Sequence, residues 1–302
     1  MTTLRKALDL AVEELTRARQ QQKLPIDTPR LDAQMLLGSV LKRDRSYLYT
    51  YPEQELTPAE ETNWYALLAR RVQGEPVAYL VENKAFFGLD FYVDRRVLIP
   101  RPETELLVEA ALKICQVYLK NDYVPLIADI GTGSGAIPIS LAVHEPRLPS
   151  LYAVDVSPEA LAVARLNCLR HQVSDRVHLL QGHLLDPLPE PVDLLLANLP
   201  YVGLDEQESM LPDVLDYEPH LALFSGNDGL DLLRQLLKAA SHGLKLRPGA
   251  TILLEIGYQQ RQLLTTLARE IWSQASISCL QDYAGLDRIL KIALPEAAQN
   301  PL

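Results

Sequence analysis

The sequence predicts an α/β protein with a mostly parallel sheet, preceded by a small bundle of helices. From about residue 98 onward, segments typical of strands alternate with helical segments, which indicates a parallel sheet with helices on both faces. The first 74 residues carry apolar side chains at helical spacing instead. A glycine-rich loop follows the first strand of the alternating region. The length of 302 residues favours two domains.

Residues 1–76 are expected to form a helical-bundle domain. The first helix presents apolar residues at helical spacing, namely Leu4, Ala7, Leu8, Ala11 and Leu15. Thr28-Pro29 and Thr57-Pro58 each place a capping residue before a proline at the first helical position. Glu60 follows Thr57 as in a capping box. The short connections between these helices favour a bundle.

The segment 84–93 is aromatic and roughly alternating, with Gly88 near its centre, and predicts a β-hairpin. We expect residues 77–97 to link the two domains. Seven candidate strands follow in the domain expected to span residues 98–302: Pro125–Asp129, Leu151–Asp155, Val177–Leu180, Asp193–Ala197, Ala250–Glu255, Ser276–Cys279 and Arg288–Ile292. The segment between the last two strands is too short for a crossover helix, so these strands should be antiparallel neighbours.

Composition and charge argue against several classes of protein. The net charge is −10, and residues 1–74 are nearly neutral, so broad binding to nucleic-acid phosphates is not expected. The three cysteines form no C-x-x-C pair, which argues against a zinc site or a disulfide framework. The chain shows neither a secretory signal nor an apolar run of about 20 residues. We therefore expect a cytoplasmic monomer without a metal and without direct contact to nucleic acid or membrane.

The glycine loop follows the first strand of the alternating region. Its candidate ligand-binding residues are Asp129, Gly131, Thr132, Gly133, Ser134 and Gly135. Glycines let the backbone turn sharply and approach a ligand closely at a helix N-terminus. Gly131, Gly133 and Ala136 also satisfy a dinucleotide-binding fingerprint, so an NAD-dependent dehydrogenase is an alternative at this point.

Two acids flank this loop in the predicted sheet. Asp155 ends the second strand, where a carboxylate can accept hydrogen bonds from the hydroxyls of a ribose in NAD or in S-adenosylmethionine. The alternative role for Asp155 is to cap the helix that starts near Pro158, although Ser157 is better placed for that. Asp129 suits the ammonium group of a methyl donor's amino-acid tail. A structural hydrogen bond from the loop amides to Asp129 is the equal alternative.

The fourth strand runs into the tetrapeptide Asn198-Leu199-Pro200-Tyr201, at the edge where open α/β sheets bind ligands. A turn would explain the asparagine and the proline, but not the aromatic residue after them. An amide nitrogen is a poor nucleophile because its lone pair is delocalised. A site that methylates it must therefore accept hydrogen bonds from its N–H groups. The side-chain oxygen of Asn198 and the carbonyl of Leu199 are the predicted acceptors.

Pro200 donates no N–H and holds the preceding residue extended, while Tyr201 offers a flat face to a planar amide or base. Asn198, Pro200 and Tyr201 are the candidate catalytic residues. Positioning and desolvation would supply most of the catalysis, so neither a metal nor a strong base is required.

Several motifs together resemble the HemK/PrmC family, the release factor glutamine methyltransferases. The segment 97–105, Val-Leu-Ile-Pro-Arg-Pro-Glu-Thr-Glu, is the most specific match. Further similar motifs are Gly74–Tyr79, Phe87–Phe91, Glu218–Leu223, Asp228–Leu230, Glu255–Gly257 and Asp282–Arg288. The resemblance covers nearly the whole chain.

The resemblance implies a seven-stranded Rossmann-like class I methyltransferase sheet and an N-terminal domain that docks the substrate. The implied cofactor is S-adenosyl-L-methionine, with S-adenosyl-L-homocysteine as product. The implied substrate is the glutamine of the Gly-Gly-Gln motif in a class-1 peptide chain release factor. By this resemblance the loop from Gly131 to Gly135 lines the donor's amino-acid end, Asp155 binds its ribose, and Asn198 to Tyr201 hold the glutamine amide.

This sequence departs from the family pattern at two places. The tetrapeptide of the family is usually Asn-Pro-Pro-Tyr, and here Leu199 stands at the second position. The acid and apolar residue expected after the third strand correspond to His183 and Leu184. Leu184 can still cover an adenine, whereas a neutral His183 can accept only one hydrogen bond. Both departures bear on activity.

Alternatives remain open at the level of sequence. The first is a glutamine methyltransferase that acts on a ribosomal protein, which needs the same chemistry. The second is an N6-adenine nucleic-acid methyltransferase, which should carry a basic groove and would flip its base into the pocket. A dehydrogenase leaves the tetrapeptide unexplained. A donor-binding module without activity is favoured only by Leu199 and His183.

Overall fold

The computed structural model describes residues 2–22, 24, 26–242 and 244–296. The chain divides into two compact units. The first consists of Met1–Asn83, Val93–Arg95 and Glu208–Glu218. The second consists of Lys84–Tyr92, Arg96–Gln207 and Pro219–Leu302.

The helices and strands are as follows in chain order. The helices are α1 (Leu4–Gln22), α2 (Pro29–Leu41), α3 (Arg45–Thr50), α4 (Pro58–Val72), α5 (Val77–Leu80), α6 (Glu105–Lys120), α7 (Ala136–His144), α8 (Pro158–Arg170), α9 (Pro212–Tyr217), α10 (Asp231–His242) and α11 (Arg261–Ile271). The strands are β1 (Lys84–Phe86), β2 (Leu89–Phe91), β3 (Ile127–Ile130), β4 (Leu151–Asp155), β5 (Val177–Gln181), β6 (Val192–Ala197), β7 (Leu246–Glu255), β8 (Ser276–Gln281) and β9 (Asp287–Ala293).

The first unit is helical and has its own apolar core. The predicted stripe of α1 is buried there together with Trp64 and Leu68 of α4. Helix α4 begins with the expected capping box. The Glu60 amide donates to the Thr57 hydroxyl at 3.3 Å, and the Thr57 amide donates to the Glu60 carboxylate at 2.8 Å. Both contacts satisfy amide groups that a helix N-terminus would otherwise leave without partners.

Thr28 is a correction to the sequence-based expectation. Helix α2 does begin at Pro29, but the Thr28 side chain accepts no hydrogen bond from the first turn. Its backbone angles, φ −127° and ψ 68°, lie outside the extended region that a capping residue adopts. The hydroxyl instead donates to Asp32 at 3.4 Å, and Asp32 also accepts from the buried Arg71 at 2.9 Å. Tertiary pairing of Asp32 therefore takes precedence over the local cap.

The second unit carries the predicted sheet, in the order β5-β4-β3-β6-β7-β9-β8. Strands β3 to β7 pair in parallel, and β9 pairs antiparallel with both β7 and β8. The antiparallel arrangement of the last two strands is thus confirmed. β7 begins at Leu246, four residues before the start predicted from the sequence. The prediction began too late because Pro248 and Gly249 interrupt the apolar run. Strands β1 and β2 form the hairpin of segment 84–93.

The sheet topology fixes where a ligand can bind. From β3 the chain continues to β4 and β5 on one side, and then crosses to β6 and β7 on the other. The strand order reverses at β3, and in open α/β sheets the crevice at such a reversal lies beside the carboxyl ends of the strands. The glycine loop, Asp155 and the tetrapeptide follow the ends of β3, β4 and β6.

Within the part of the chain that the structure describes, no helix is long and apolar enough to cross a bilayer. Among the same residues, no group of three or more His, Cys, Asp or Glu side chains is arranged to hold a metal ion.

Candidate active site

The glycine loop is held by hydrogen bonds from its own backbone. Gly131, Gly133 and Gly135 all have positive φ angles, of 76°, 53° and 79°. The Gly131 and Thr132 amides donate to the Val154 carbonyl of β4 at 2.8 and 2.9 Å. Only glycine adopts these angles without strain, so the three glycines let the chain reverse between β3 and α7.

Gly131 also permits a close approach between the loop and the tetrapeptide. A Cβ atom at this position would lie 2.8 Å from Cδ2 of Leu199. Leu199 is buried, and it packs in the core that the sheet shares with α10 and α11. The leucine that replaces the family's usual proline therefore packs over the glycine loop.

Asp155 anchors the loop and lines a cavity. One of its carboxylate oxygens accepts from the Gly133 amide at 2.8 Å, and the other accepts from the Ser157 amide at 2.9 Å. Ser157 is the residue that caps α8, because its hydroxyl accepts from the Ala160 amide at 3.1 Å. Burial raises the pKa of Asp155, and its backbone hydrogen bonds lower that pKa in part. Each carboxylate oxygen keeps a further lone pair for a ligand hydroxyl.

Asp129 is a buried carboxyl group for which the structure provides no hydrogen bond. Neither of its oxygens has a partner among the described residues. Burial raises its pKa to about 7; the Thr132 hydroxyl lowers that pKa in part, although it falls short of hydrogen-bond geometry. The alternative in which the loop amides bond to Asp129 is wrong, because neither Asp129 oxygen has a partner among the described residues and the amides of Gly131, Thr132, Gly133 and Gly135 donate to Val154, Asp155 and Thr132.

The tetrapeptide presents Asn198 in a defined orientation. The Asn198 side-chain nitrogen donates to the hydroxyl of Thr104 at 3.0 Å. Its side-chain oxygen receives no hydrogen bond from any residue in the described ranges and remains available as an acceptor. The oxygen assigned from the sequence as a hydrogen-bond acceptor thus lies at the end of β6, and its role towards a substrate stays a prediction.

Tyr201, the last residue of the tetrapeptide, is held by two hydrogen bonds. Its hydroxyl donates to the Glu255 carboxyl at 3.4 Å, and its carbonyl accepts from the Gln260 side chain at 2.8 Å. Burial raises the pKa of Tyr201 well above its usual range. Burial also raises the pKa of Glu255 to about 7, while the Thr104 hydroxyl, the Arg288 guanidinium and the Tyr201 hydroxyl lower that pKa in part.

A cavity of about 270 Å³ lies at the carboxyl ends of these strands. The predicted residues that line it are Gly131, Gly133, Asp155, His183, Leu184, Asn198, Leu199 and Pro200. The predicted residues that do not line it are Asp129, Thr132, Ser134, Gly135 and Tyr201. Of the second group, Asp129 and the three loop residues lie in or beside the glycine loop, and Tyr201 is the last residue of the tetrapeptide.

His183 and Leu184 lie together at one wall of the cavity. His183 is exposed, and its ring nitrogen Nε2 lies 3.3 Å from the side-chain oxygen of Gln235. Leu184 is buried, and its φ angle is 46°, a backbone conformation that branched apolar residues rarely adopt. Such local strain concentrates at functional sites, and here it turns an apolar side chain into the cavity wall.

The sequence-based reasoning missed several apolar lining residues. Val156 lines the cavity and is 49% exposed. Its position directly after Asp155, at the carboxyl end of a strand, was a signal that the sequence offered. Leu98, Leu221 and Leu232 also line the cavity. They come from segments distant in the sequence, and no local pattern indicated their position.

The open sheet, the glycine loop, the acid after β4 and the Asn-x-Pro-Tyr tetrapeptide define a class I methyltransferase domain. Comparisons with known proteins agree with this class. A family model described as the PrmC N-terminal domain matches residues 6–81, and one described as the methyltransferase small domain matches residues 108–215. The catalytic domain of hMettl16, solved with an RNA hairpin, shares the fold, with a TM-score of 0.53 and 14% identity over 80% of this chain and 84% of that one.

Curated relatives are similar over nearly the whole chain. The release factor glutamine methyltransferase of Moorella thermoacetica is 43% identical, over 95% of this chain and 96% of the relative. That of Koribacter versatilis is 39% identical, over 95% of this chain and 97% of the relative. The chain therefore belongs to the release factor glutamine methyltransferase family, and the resemblance seen in its motifs is confirmed.

Proposed function

We propose that this protein transfers a methyl group from S-adenosyl-L-methionine to the side-chain amide nitrogen of a glutamine. The acceptor is the glutamine of the Gly-Gly-Gln motif in a class-1 peptide chain release factor, and its methylation tunes translation termination. The observation that carries the chemistry is the free side-chain oxygen of Asn198 beside the cavity. The relatives' shared name supports the choice of substrate.

The residues that line the cavity, together with Asp129 beside the glycine loop, fit this donor. Asp129 offers a buried carboxylate without a partner, which matches an ammonium group. Asp155 keeps lone pairs for ribose hydroxyls, while Val156 and Leu184 offer apolar surface to an adenine. When bound, the donor supplies an electrophilic methyl group on a sulfonium. We assign the donor site to Asp129, to the loop Gly131–Gly135 with Thr132 and Ser134, and to Asp155, His183, Leu184 and Asn198.

Asn198 and its neighbours act on the acceptor amide. The Asn198 oxygen accepts one N–H of the glutamine amide, and the Leu199 carbonyl accepts the other. Pro200 keeps Leu199 extended, so that this carbonyl can face the amide. Holding both N–H groups directs the nitrogen lone pair towards the methyl carbon, and this orientation is the main contribution of the chain's own residues.

Tyr201 anchors the end of the tetrapeptide through its hydrogen bonds with Glu255 and Gln260. We propose that the Tyr201 ring offers a flat face to the glutamine amide when the substrate is bound.

The two-domain division supports separate roles for the parts of the chain. We assign residues 1–76 to substrate docking, residues 77–97 to the hairpin linker and residues 98–302 to catalysis. The protein would act as a monomer on a protein substrate in the cytoplasm, with no direct contact to nucleic acid or membrane.

The test is mass spectrometry of a release factor expressed without methylation, after incubation with this protein and S-adenosyl-L-methionine. We expect a gain of about one methyl group on the Gly-Gly-Gln peptide. Asn198→Ala should abolish that gain, whereas Asn121→Ala, an exposed asparagine at the end of α6, should not change it. If no gain occurs while calorimetry still detects donor binding, the proposed substrate is wrong, and a glutamine of a ribosomal protein becomes the next candidate to test.

A further inference from the structure

Asn167 of α8 is an amide side chain that is fully buried in the second unit. Its oxygen accepts from the Tyr92 amide at 2.7 Å. Its nitrogen donates to the Tyr92 carbonyl at 3.0 Å and to the Ser134 carbonyl at 2.9 Å, which uses both of its N–H groups. A buried amide costs free energy unless it is hydrogen-bonded, so these bonds make Asn167 a connection between the hairpin and the glycine loop.

The bond to Ser134 fixes one peptide group of the glycine loop. The peptide group between Ser134 and Gly135 is planar and trans, so its carbonyl and its N–H point in opposite directions. The Gly135 amide donates to the Thr132 carbonyl at 2.8 Å, within the loop, while Asn167 holds the Ser134 carbonyl from outside. Both ends of this peptide group are therefore fixed, and with them the turn that carries the cavity-lining Gly133.

Helix α8 thus gives the loop a support that strand β4 does not. From β4, the Val154 carbonyl and the Asp155 carboxylate hold amide groups of the loop. Asn167 holds a carbonyl group that follows those amides in the chain. The helix also packs directly against the loop, because a Cβ atom at Gly135 would lie 3.3 Å from the Cβ of Ala164. The shape of the loop therefore depends on both elements.

The same side chain holds the end of the hairpin. Tyr92 follows β2, and Asn167 bonds to both its N–H and its carbonyl, as a residue of a neighbouring antiparallel strand would. The chain then continues to residues 96–98, which line the cavity. Asn167 therefore joins the glycine loop to the segment that leads into another part of the cavity wall.

We propose that Asn167 is a positioning residue of the donor site, which fixes the glycine loop and couples it to the hairpin through Tyr92. The inference rests on the proposed function, because it takes S-adenosyl-L-methionine and its product as ligands of the loop. Asn167 acts through the loop and is not among the residues that line the cavity. A ligand that orders the loop should therefore also order the backbone at Tyr92.

Calorimetry with S-adenosyl-L-homocysteine and three full-length proteins tests the positioning. Relative to wild type, Asn167→Ala should weaken binding about tenfold, because the loop loses a buried hydrogen bond. Cys168→Ala is the matched control, since it removes a buried side chain at the next position of α8 without taking a hydrogen bond from the loop. It should lower stability and leave the Kd within about twofold. Equal Kd changes in the two variants, or none in Asn167→Ala, would overturn the inference.

Hydrogen exchange of the wild-type protein, followed by NMR, tests the coupling without any substitution. S-adenosyl-L-homocysteine should slow the exchange of the Tyr92 amide at least about threefold. The Phe87 amide is the internal control, because it lies in the same hairpin but donates to Glu105 at 2.8 Å. Its exchange should not change.

Two results of the exchange experiment would overturn the inference and leave the proposed function intact. Equal slowing at Tyr92 and Phe87 would show a general stabilisation, and no slowing at Tyr92 would show that the hairpin is not coupled to the loop. If the wild-type protein does not bind S-adenosyl-L-homocysteine, the proposed function and this inference fail together.

Discussion

The buried carboxyl of Asp129 predicts that one substitution will make the ligand-free protein more stable and less able to bind its donor. Burial raises the pKa of Asp129 from 3.8 to about 7, a change of about three units. Each unit corresponds to about 1.4 kcal/mol, so the buried charge costs up to about 4 kcal/mol of folding free energy above pH 7. Asp129→Asn removes that cost while keeping the size of the side chain.

The sign of the pH dependence follows from proton binding. Between the unfolded pKa near 3.8 and the folded pKa near 7, the folded state binds the Asp129 proton more tightly than the unfolded chain does. This group therefore contributes stability at low pH, and the contribution is lost as the pH rises through about 7. We expect Asp129→Asn to gain about 1–4 kcal/mol over wild type at pH 8 and nothing at pH 4, since the buried amide also lacks partners.

Urea unfolding of both proteins from pH 4 to pH 8 measures this difference. Asp193→Asn is the matched control in the neighbouring strand β6. The carboxylate of Asp193 accepts from the Tyr123 hydroxyl at 2.8 Å, from the Leu126 amide at 2.7 Å and from Arg247 at 2.9 Å. Its replacement should destabilise the protein, because charge-assisted hydrogen bonds are lost. A wild-type protein that is more stable than Asp129→Asn at pH 8 would refute the claim that Asp129 is an uncompensated buried charge.

Donor binding should change in the opposite direction. The ammonium of S-adenosyl-L-homocysteine loses its carboxylate partner in Asp129→Asn, so calorimetry should show affinity at least about tenfold weaker at pH 8. Wild-type affinity should rise between pH 6 and pH 8 as Asp129 loses its proton, and the variant should lack this rise. Equal affinity of the two proteins at pH 8 would exclude Asp129 as the ammonium partner.

Two further predictions concern the local geometry of the glycine loop and of the capping box. Gly131→Ala should lower the free energy of unfolding by about 1–3 kcal/mol, because it adds strain at φ 76° and a 2.8 Å contact with Leu199. Gly133→Ala is the control: at φ 53° with no atom within 4 Å of the added Cβ, it should cost less. Equal losses of stability in thermal melts of the two variants would contradict the contact with Leu199. Glu60→Ala should destabilise the helical unit by about 1 kcal/mol through loss of the capping box, and an unchanged urea midpoint would show that the box contributes nothing.

Local patterns predicted most of the fold because the determining interactions are local. The capping box joins Thr57 and Glu60, which lie three positions apart in the sequence, and it formed as expected. The antiparallel pairing of β8 and β9 followed from the length of one connection. Thr28 does not cap α2, because its hydroxyl donates to Asp32, four positions further along the chain. Asp32 is in turn paired with Arg71 from another helix, and no local pattern reveals that pairing.

The candidate site was predictable only in part. Motifs that lie at strand ends pointed to Asp155 and Asn198, since the carboxyl edge of a parallel sheet gathers such residues. The contact between Asn198 and Thr104 joins residues separated by 94 positions, and Thr104 offered no signal except its place in a family motif. Glu255 was likewise recognised as part of a motif without a role.

The sequence by itself determined the class of fold, the glycine loop, the two acids and the tetrapeptide, because periodicity and glycine placement constrain the backbone over a few residues. Only the tertiary structure decided how those groups are used. Whether Asp129 is bonded, which oxygen of Asp155 holds the loop and which side of the Asn198 amide faces the cavity all depend on partners brought from other strands and helices. The chemical identity of a polar group sets how many hydrogen bonds it can donate and accept. Because hydrogen bonds are short and directional, the packing of distant segments decides which partner the group finds.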